Sequence, residues 1–360
     1  MALADALMRR VPSAEVTALG TEYGLEATLV PGRGYPIHMI PRVAMPRHPT
    51  LSIATLPARM LKAVRATSAI LHVTRPDVVV GFGGYVSLPA YLAARRGRIP
   101  IVVHEANAKP GLANRVGARL TKHVAISSSK AQLPHGQLIG IPLRRAIATL
   151  DRAAMRSQAR ASFGLDDERP TLLVFGGSQG ARSINDALTA ALPALRREGI
   201  QVLHAVGPGN ELLVGNDMPA ANSAMVKASK GQEVAVQAPY VAVAYLEDME
   251  LAYAAADVAL CRSGAMTCAE LAAVGLPGVF VPYPHSNGEQ ELNALPLVEH
   301  DAGVLLGDDT LDAAAILDAV VPMLTDSDRL GRMSANAASL GRKDADERLT
   351  DLVLAAAKYS

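Results

Sequence analysis

Residues 261–277 read CRSGAMTCAELAAVGLP, preceded by the apolar run ADVALC (256–261) and followed directly by GVFVP (278–282). Short apolar runs on either side of a longer stretch that starts and stops at glycine read as strand, turn, helix, strand. Ser263 and Gly264 stand where that helix begins. Serine suits an N-cap, and glycine lets the backbone come close to a ligand. A helix start offers unpaired N–H groups and the positive end of a dipole, which suits a phosphate. Glu270 follows about two turns later, an acceptor-only side chain suited to a pair of sugar hydroxyls; a solvated helix face is the plainer reading of the same residue.

The same design recurs along the chain. TLLVF (171–175) runs at once into GGSQGARSIN, and PDVVVGF (76–82) into GGYVSLPAYLAA. IPIVVH (99–104) ends on His104 and Glu105, where open α/β sheets place their ligands. His104 reads equally as a satisfied core histidine. Further strands are expected at EVTAL (15–19), KHVAIS (122–127), IQVLHAVG (200–207) and GVLLG (303–307). Two strand–glycine–helix halves imply an α/β protein of two Rossmann-like domains facing a cleft. The expected division is 1–143 and 144–337, with 338–360 returning to the first domain. Residues 143–170 read as the passage between the two.

The 360 residues are 50% hydrophobic but only 4% aromatic, with no Trp, so Ala, Val and Leu build the core, as suits helices on parallel strands. The net charge of +1 hides an asymmetry: residues 1–150 hold 19 Lys and Arg against 6 Asp and Glu, and the remainder is acidic. The basic half calls for an anionic neighbour. Residues 50–72 interleave Leu, Ile and Met with Arg59, Lys62 and Arg65, and PRVAMPRHP (41–49) adds Arg42, Met45 and Arg47. This reads either as a surface helix or as a basic amphipathic face for anionic lipid. Nucleic acid fits less well, because the charge is interleaved with aliphatics and no stacking aromatics accompany it. Charged residues interrupt the first ten positions, against a signal peptide, and no apolar run reaches the length of a membrane span. Two cysteines, Cys261 and Cys268, without a CxxC pair, read as reduced core thiols.

Several chemistries lose their sequence signs. GGSQG lacks the spacing and lysine of a P-loop, and lacks the full dinucleotide fingerprint. No G-x-S-x-G elbow offers a nucleophile. Asp326–Asp328 and Asp344–Asp346 lie in polar helical sequence and read as solvated faces rather than metal ligands. What remains is a nucleotide-sugar donor held by helix dipole and glycine backbone, with no cofactor and no protein-bound metal required.

The runs PDVVVGFGGYVSLPA, HEANAKPGLANR, GGSQGARSIN, ADVALCRSGAMTCAELAAVGLP and NGEQELNALPL carry a resemblance over residues 19–300. The chain resembles the bacterial glycosyltransferases that add N-acetylglucosamine to undecaprenyl-diphospho-muramoyl-pentapeptide, completing lipid II for peptidoglycan. The resemblance implies UDP-N-acetylglucosamine as donor, the lipid-linked muramoyl pentapeptide as acceptor, and inverting transfer to the muramoyl C4 hydroxyl. It implies a peripheral place on the cytoplasmic face of the membrane. For the donor it implies Ser178 and the run Ala265, Met266, Thr267, Cys268, Ala269 and Glu270, with Glu270 on the ribose. It further implies Leu246 reading the uracil through backbone, Gln290 on sugar hydroxyls, and Arg144 and Asn107 facing ligand. His104 and Glu105 become the candidate acid–base groups. One departure stands out: the family's GGTGGH loop, which carries its usual base, is missing, and the chain begins at the helix after it. A start codon upstream of Met1 is the expected explanation. The alternative, from a different class, is a non-catalytic UDP-sugar-binding protein.

Overall fold

The computed structural model describes residues 1–22, 24, 26–43, 55–210, 237–285 and 287–357. The chain divides into two compact units, Met1–Arg144 with Lys343–Ser360, and Arg145–Arg342. Met45 and Arg47 of the basic stretch lie outside the described residues.

The first unit runs α1 (Ala2–Arg10), β1 (Ala18–Gly20), α2 (Glu26–Gly32), β2 (Ile37–Met39), α3 (Leu56–Thr74), β3 (Val79–Gly81), α4 (Gly84–Gly97), β4 (Ile101–Glu105), α5 (Leu112–Gly117), β5 (His123–Ile126) and β6 (Gly136–Leu138). Strands β3, β4, β5 and β6 form a parallel sheet in that order, and β1 pairs with β2 in a second parallel ladder. Side chains alternate across β4, as a strand's period of two requires. Ile101 and Val103 pack with Leu71 of α3 and Tyr91 of α4, while Val102 packs with Leu3 of α1 on the opposite face. Burial of β4 on both faces explains why its sequence is an unbroken apolar run.

The second unit follows with α6 (Arg145–Ala148), α7 (Arg152–Ser162), β7 (Thr171–Phe175), α8 (Arg182–Arg197), β8 (Gln201–Ala205), β9 (Tyr240–Val243), α9 (Met249–Ala255), β10 (Val258–Cys261), α10 (Ala265–Val274), β11 (Gly278–Phe280), α11 (Glu289–Glu299), β12 (Gly303–Leu305), α12 (Ala313–Thr325) and α13 (Ser327–Leu340). A last helix, α14 (Ala345–Ala357), belongs to the first unit. Its Leu349, Leu352 and Val353 cover the face of β4 and β5 that Leu3 also covers. Arg9 of α1 ties it down through Asp346 Oδ2 and Glu347 Oε1, both at 2.9 Å.

That pairing corrects one expectation. Asp346 is buried and ion-paired rather than part of a solvated face. Asp326 likewise has local work, capping α13 by accepting from the Arg329 N–H. Residues 145–170 make up most of the stretch 143–170 that reads from the sequence as a passage between domains. They belong to the second unit, where α7 is latched by a buried charge network. Arg160 is fully buried and donates to Asp257 Oδ2 at 2.8 Å and to the Ala255 carbonyl at 3.0 Å. Asp257 also accepts from the Thr171 N–H at 2.8 Å, so one carboxylate joins α7 to the entry of β7 and β10. Removing one member of such a buried pair leaves an uncompensated charge and costs about 3–5 kcal/mol.

All neighbours in the six-stranded sheet of this unit are parallel, in the order β12-β11-β10-β7-β8-β9. The chain lays β7, β8 and β9 outward to one side, then returns to place β10 against the other side of β7. The order therefore reverses between β7 and β10. Behind this sheet His204 is fully buried. Asn185 Nδ2 donates to the Val206 carbonyl, so its Oδ1 faces His204 Nε2 at 3.0 Å and takes that nitrogen's proton. His204 Nδ1 then accepts from the Tyr240 hydroxyl at 3.1 Å. Burial pushes the imidazole from its ordinary 6.5 down to about 4. The unfolded chain therefore binds this proton first, and stability is lost as pH falls from about 6.5 to about 4, amounting to roughly 3 kcal/mol. Denaturant melts of wild type should show that slope, and His204→Gln should flatten it; an equal slope in both would remove His204 as its source.

Candidate functional site

In open α/β sheets ligands bind beyond the carboxyl ends of the strands at the point where strand order reverses. In the second unit those ends are Phe175 of β7 and Cys261 of β10. Phe175 leads into the turn Gly176–Gly180, and Cys261 into Arg262, Ser263 and Gly264. The first turn is held by a close approach that only glycine permits. Gly180 (φ 74°) lies against Gly207 (φ 94°) in the turn after β8, and a Cβ on either would meet the other's backbone. Asn210 fixes the pair, donating to the carbonyls of Gln179 at 3.1 Å and Val206 at 3.0 Å. Ser178 is exposed in that turn. Helix α8 then starts without a side-chain cap, so its first N–H groups face outward unclaimed by the helix.

The second turn is organised by Arg262, which the sequence reading passed over. Its Nη1 donates to the carbonyls of Val281 and Pro282, each at 3.2 Å, and pairs with Asp308. Its Nη2 reaches Ser183 Oγ at 2.9 Å, and its guanidinium lies 5.6 Å from the Tyr283 ring centre. One side chain thus ties the ends of β10 and β11 to the start of α8. The N-cap of α10 is Gly264 and not Ser263, and no side chain caps it. Ser263 is fully buried, and its hydroxyl has no partner among the described residues. Glycine at the cap removes the competitor for the first amides of α10 and leaves them to a ligand.

Along α10, Ala265, Thr267 and Ala269 are half-buried and Met266 is exposed. Cys268 is buried, and burial pushes its thiol up to about 12, so it stays neutral. Both cysteines are free. Glu270 is nearly buried and accepts from the Tyr253 hydroxyl at 2.7 Å. Tyr253 is itself fully buried, 6.3 Å ring to ring from Phe175. Gln290, near the start of α11, accepts the Tyr283 N–H at 2.9 Å through Oε1, which aims its amide nitrogen away from that backbone. Leu246, in the turn after β9, buries its side chain, so only its backbone can meet a base.

The first unit carries a separate polar cluster at the end of β4. Glu105 is buried and accepts four hydrogen bonds, from Asn107 N (2.9 Å), Asn107 Nδ2 (3.4 Å), Gly111 N (3.0 Å) and Asn114 Nδ2 (3.0 Å). Asn114 in turn accepts from the buried Tyr91 hydroxyl at 2.8 Å. Glu105 therefore shapes the loop that presents Asn107. His104 is buried beneath Phe82, 5.5 Å ring to ring. Its Nε2 lies 2.8 Å from the Gly140 carbonyl, which can only accept, so Nε2 carries the proton. Burial lowers its pKa and keeps the ring neutral, and Nδ1 has no partner among the described residues. Arg144 closes this unit, half-buried and already engaged.

Arg262, Tyr253 and Asn114 are the residues that sequence reasoning missed. Arg262 adjoined the decisive turn and was open to notice as a lone cation in an apolar–Gly context. Tyr253 and Asn114 act through contacts that no spacing announces.

A doubly wound second unit with two glycine turns at its switch point, and an α/β first unit, define the GT-B fold. Residues 1–126 match the glycosyltransferase family 28 N-terminal domain and residues 171–349 its C-terminal domain. The chain belongs to glycosyltransferase family 28. It is 55% identical over 358 residues to the UDP-N-acetylglucosamine–N-acetylmuramyl-(pentapeptide) pyrophosphoryl-undecaprenol N-acetylglucosamine transferase of Acidothermus cellulolyticus, covering 99% of this chain and 94% of that one. The enzyme of the same name from Streptomyces coelicolor is 53% identical over 353 residues, covering 98% and 93%. Among solved structures, Acinetobacter baumannii MurG superposes with a TM-score of 0.75 at 26% identity, over 98% of this chain and 95% of that one. The calicheamicin glycosyltransferase CalG4 shares the fold at 18% identity and a TM-score of 0.64.

Tyr253→Phe keeps the packed ring and removes only the donor that orients Glu270. A hydrogen bond to a charged group contributes about 1.5–3 kcal/mol, so UDP affinity should fall about tenfold or more. The preference for UDP over 2′-deoxy-UDP should shrink as well. Calorimetry showing the two nucleotides discriminated as in wild type would detach Tyr253 from the ribose.

Proposed function

We propose that this protein transfers N-acetylglucosamine from UDP-N-acetylglucosamine, with inversion, to the muramoyl C4 hydroxyl of undecaprenyl-diphospho-muramoyl-pentapeptide. This is the step from lipid I to lipid II, and it supplies peptidoglycan for cell shape and division. The observation that carries the reading is identity above 50% along essentially the whole chain to enzymes named for this transfer. No observation favours the non-catalytic alternative.

The residues take roles that their surroundings support. The uncapped amides at Ala265, Met266 and Thr267 receive the diphosphate, where the helix dipole stabilises the charge that develops as UDP leaves. Ser178 and the exposed Gly176–Gly180 turn add donors on the neighbouring strand end. Cys268 and Ala269 carry the helix on to Glu270, whose carboxylate accepts from the ribose hydroxyls. Leu246 meets the uracil by backbone. Gln290 offers its amide nitrogen to a sugar hydroxyl, and a site built for that bond rejects analogues lacking it. Asn107 and Arg144 serve the first unit's ligand, Arg144 as a cation for phosphate oxygens. Of the two candidates for the C4 proton, His104 has an unprotonated nitrogen to spare, whereas the Glu105 carboxylate is committed to the loop.

For the membrane, α3 buries Ala63, Thr67 and Leu71 along one stripe and turns Leu61, Lys62, Arg65 and Val73 outward. This mixture suits the headgroup boundary of an anionic leaflet on the cytoplasmic side better than nucleic acid. Among the described residues no helix is long and apolar enough to cross a membrane.

The direct test is transfer of labelled N-acetylglucosamine from UDP to a short-chain lipid I by this 360-residue chain. Turnover is the expected result; UDP binding without turnover would return the non-catalytic alternative. Glu270→Ala should weaken UDP-sugar binding by about tenfold or more through lost charge-assisted bonds, and unchanged affinity would count against the donor site. Reversing Arg59, Lys62 and Arg65 to Glu should release the protein from anionic vesicles at physiological salt. Co-sedimentation that persists would remove α3 from the membrane surface.

A further inference from the structure

Among the described residues of the second unit, three large apolar side chains are exposed: Tyr245, Met266 and Tyr283. Each stands just past the carboxyl end of a strand, Tyr245 after β9, Met266 after β10 and Tyr283 after β11. The strands are parallel, so all three lie along one edge of the sheet, the edge that carries the Gly176–Gly180 and Ser263 turns. Exposed apolar residues scattered singly over a surface need no explanation. These three are gathered at the ligand edge, and the other large apolar side chains described in this unit are at least partly buried.

Met266 belongs to the helix start already described, and Tyr245 adjoins Leu246. Tyr283 has no role in the transfer so far, yet its surroundings hold it in place. Its N–H donates to Gln290 Oε1 at 2.9 Å. The Arg262 guanidinium lies 5.6 Å from its ring centre, and the His285 ring stands 5.4 Å away at 81°. Arg262 is itself fixed by Asp308 and by the Val281 and Pro282 carbonyls. Covering that cation is the plain structural use of the ring. It does not account for the rest, because Tyr283 is still 47% exposed with these neighbours in place.

A hexose is amphipathic: its C–H groups gather on the faces of the ring, and its hydroxyls point outward around the rim. The face of an aromatic ring is negative and takes polarised C–H groups, while an amide beside it takes a rim hydroxyl. Tyr283 and Gln290 present that pair of groups side by side. We infer that Tyr283 is a donor-sugar contact, its ring packing on the C–H face of N-acetylglucosamine while Gln290 holds a hydroxyl of the same sugar. The inference rests on the donor reading above and adds a residue that governs affinity for the sugar rather than for the nucleotide. The diphosphate and the base are met in that reading at the ends of β7, β10 and β9, whereas Tyr283 follows β11.

The test compares wild type, Tyr283→Leu and Tyr283→Phe in the full chain, with UDP and UDP-N-acetylglucosamine titrated separately by calorimetry. Leucine keeps apolar bulk over Arg262 and removes the π face; phenylalanine keeps the face and removes the hydroxyl. Tyr283→Leu should bind UDP-N-acetylglucosamine about three- to tenfold more weakly than wild type, and UDP as wild type does. Unchanged UDP binding also shows that the variant is folded. Tyr283→Phe should bind both ligands like wild type. Equal loss toward both ligands in Tyr283→Leu would mean that the ring acts through Arg262 on the diphosphate, and overturns the inference. Wild-type affinity of Tyr283→Leu for both ligands overturns it too, as does a Tyr283→Phe as weak toward the sugar nucleotide as Tyr283→Leu. Those failures leave the donor reading standing, whereas a wild type that binds neither ligand removes that reading and this inference together.

Discussion

The second unit depends on the placement of β10 against β7, with β8 and β9 on the far side. Once the strand order reverses there, two strand ends lie side by side while the chains leaving them diverge, and a crevice follows from topology alone. The two turns take their shape from what stands at those ends. Gly180 and Gly207 meet without side chains, so the turn after β7 stays tight. Gly264 caps α10 without a hydroxyl in the way, so the helix amides remain available.

Charge is used in three different ways in this chain. Around Asp257 it is structural: Arg160 and Arg156 converge on a nearly buried carboxylate and fasten α7 to the sheet, while burial pulls the neighbouring Arg152 down to about 10. Around Arg262 it is positional, because a single guanidinium holds several strand ends in register beside the ligand site. On the first unit it is left at the surface along α3, where Lys62 and Arg65 face outward.

Much of this was legible in the sequence where local chemistry decides structure. Apolar runs ending in glycine gave the strands and their turns. The region around Ser263 was legible as a helix start, but its cap was off by one residue, because cap geometry turns on backbone angles that residue type only biases. Asp346 was misread because its partner, Arg9, lies at the other end of the chain. The brace at Glu105 was not legible for a related reason: its donors come from a following loop whose path no local pattern announces. Tyr253 gave no sign, because a tyrosine under a helical glutamate has no fixed spacing.

The central claim is that the first amides of α10 and the Gly176–Gly180 turn hold the donor's diphosphate. Amide hydrogen exchange resolved by residue, with and without UDP-N-acetylglucosamine, addresses it most directly. New protection is expected at Ala265, Met266 and Thr267 and in the turn after β7. Protection elsewhere with those amides unchanged would contradict it.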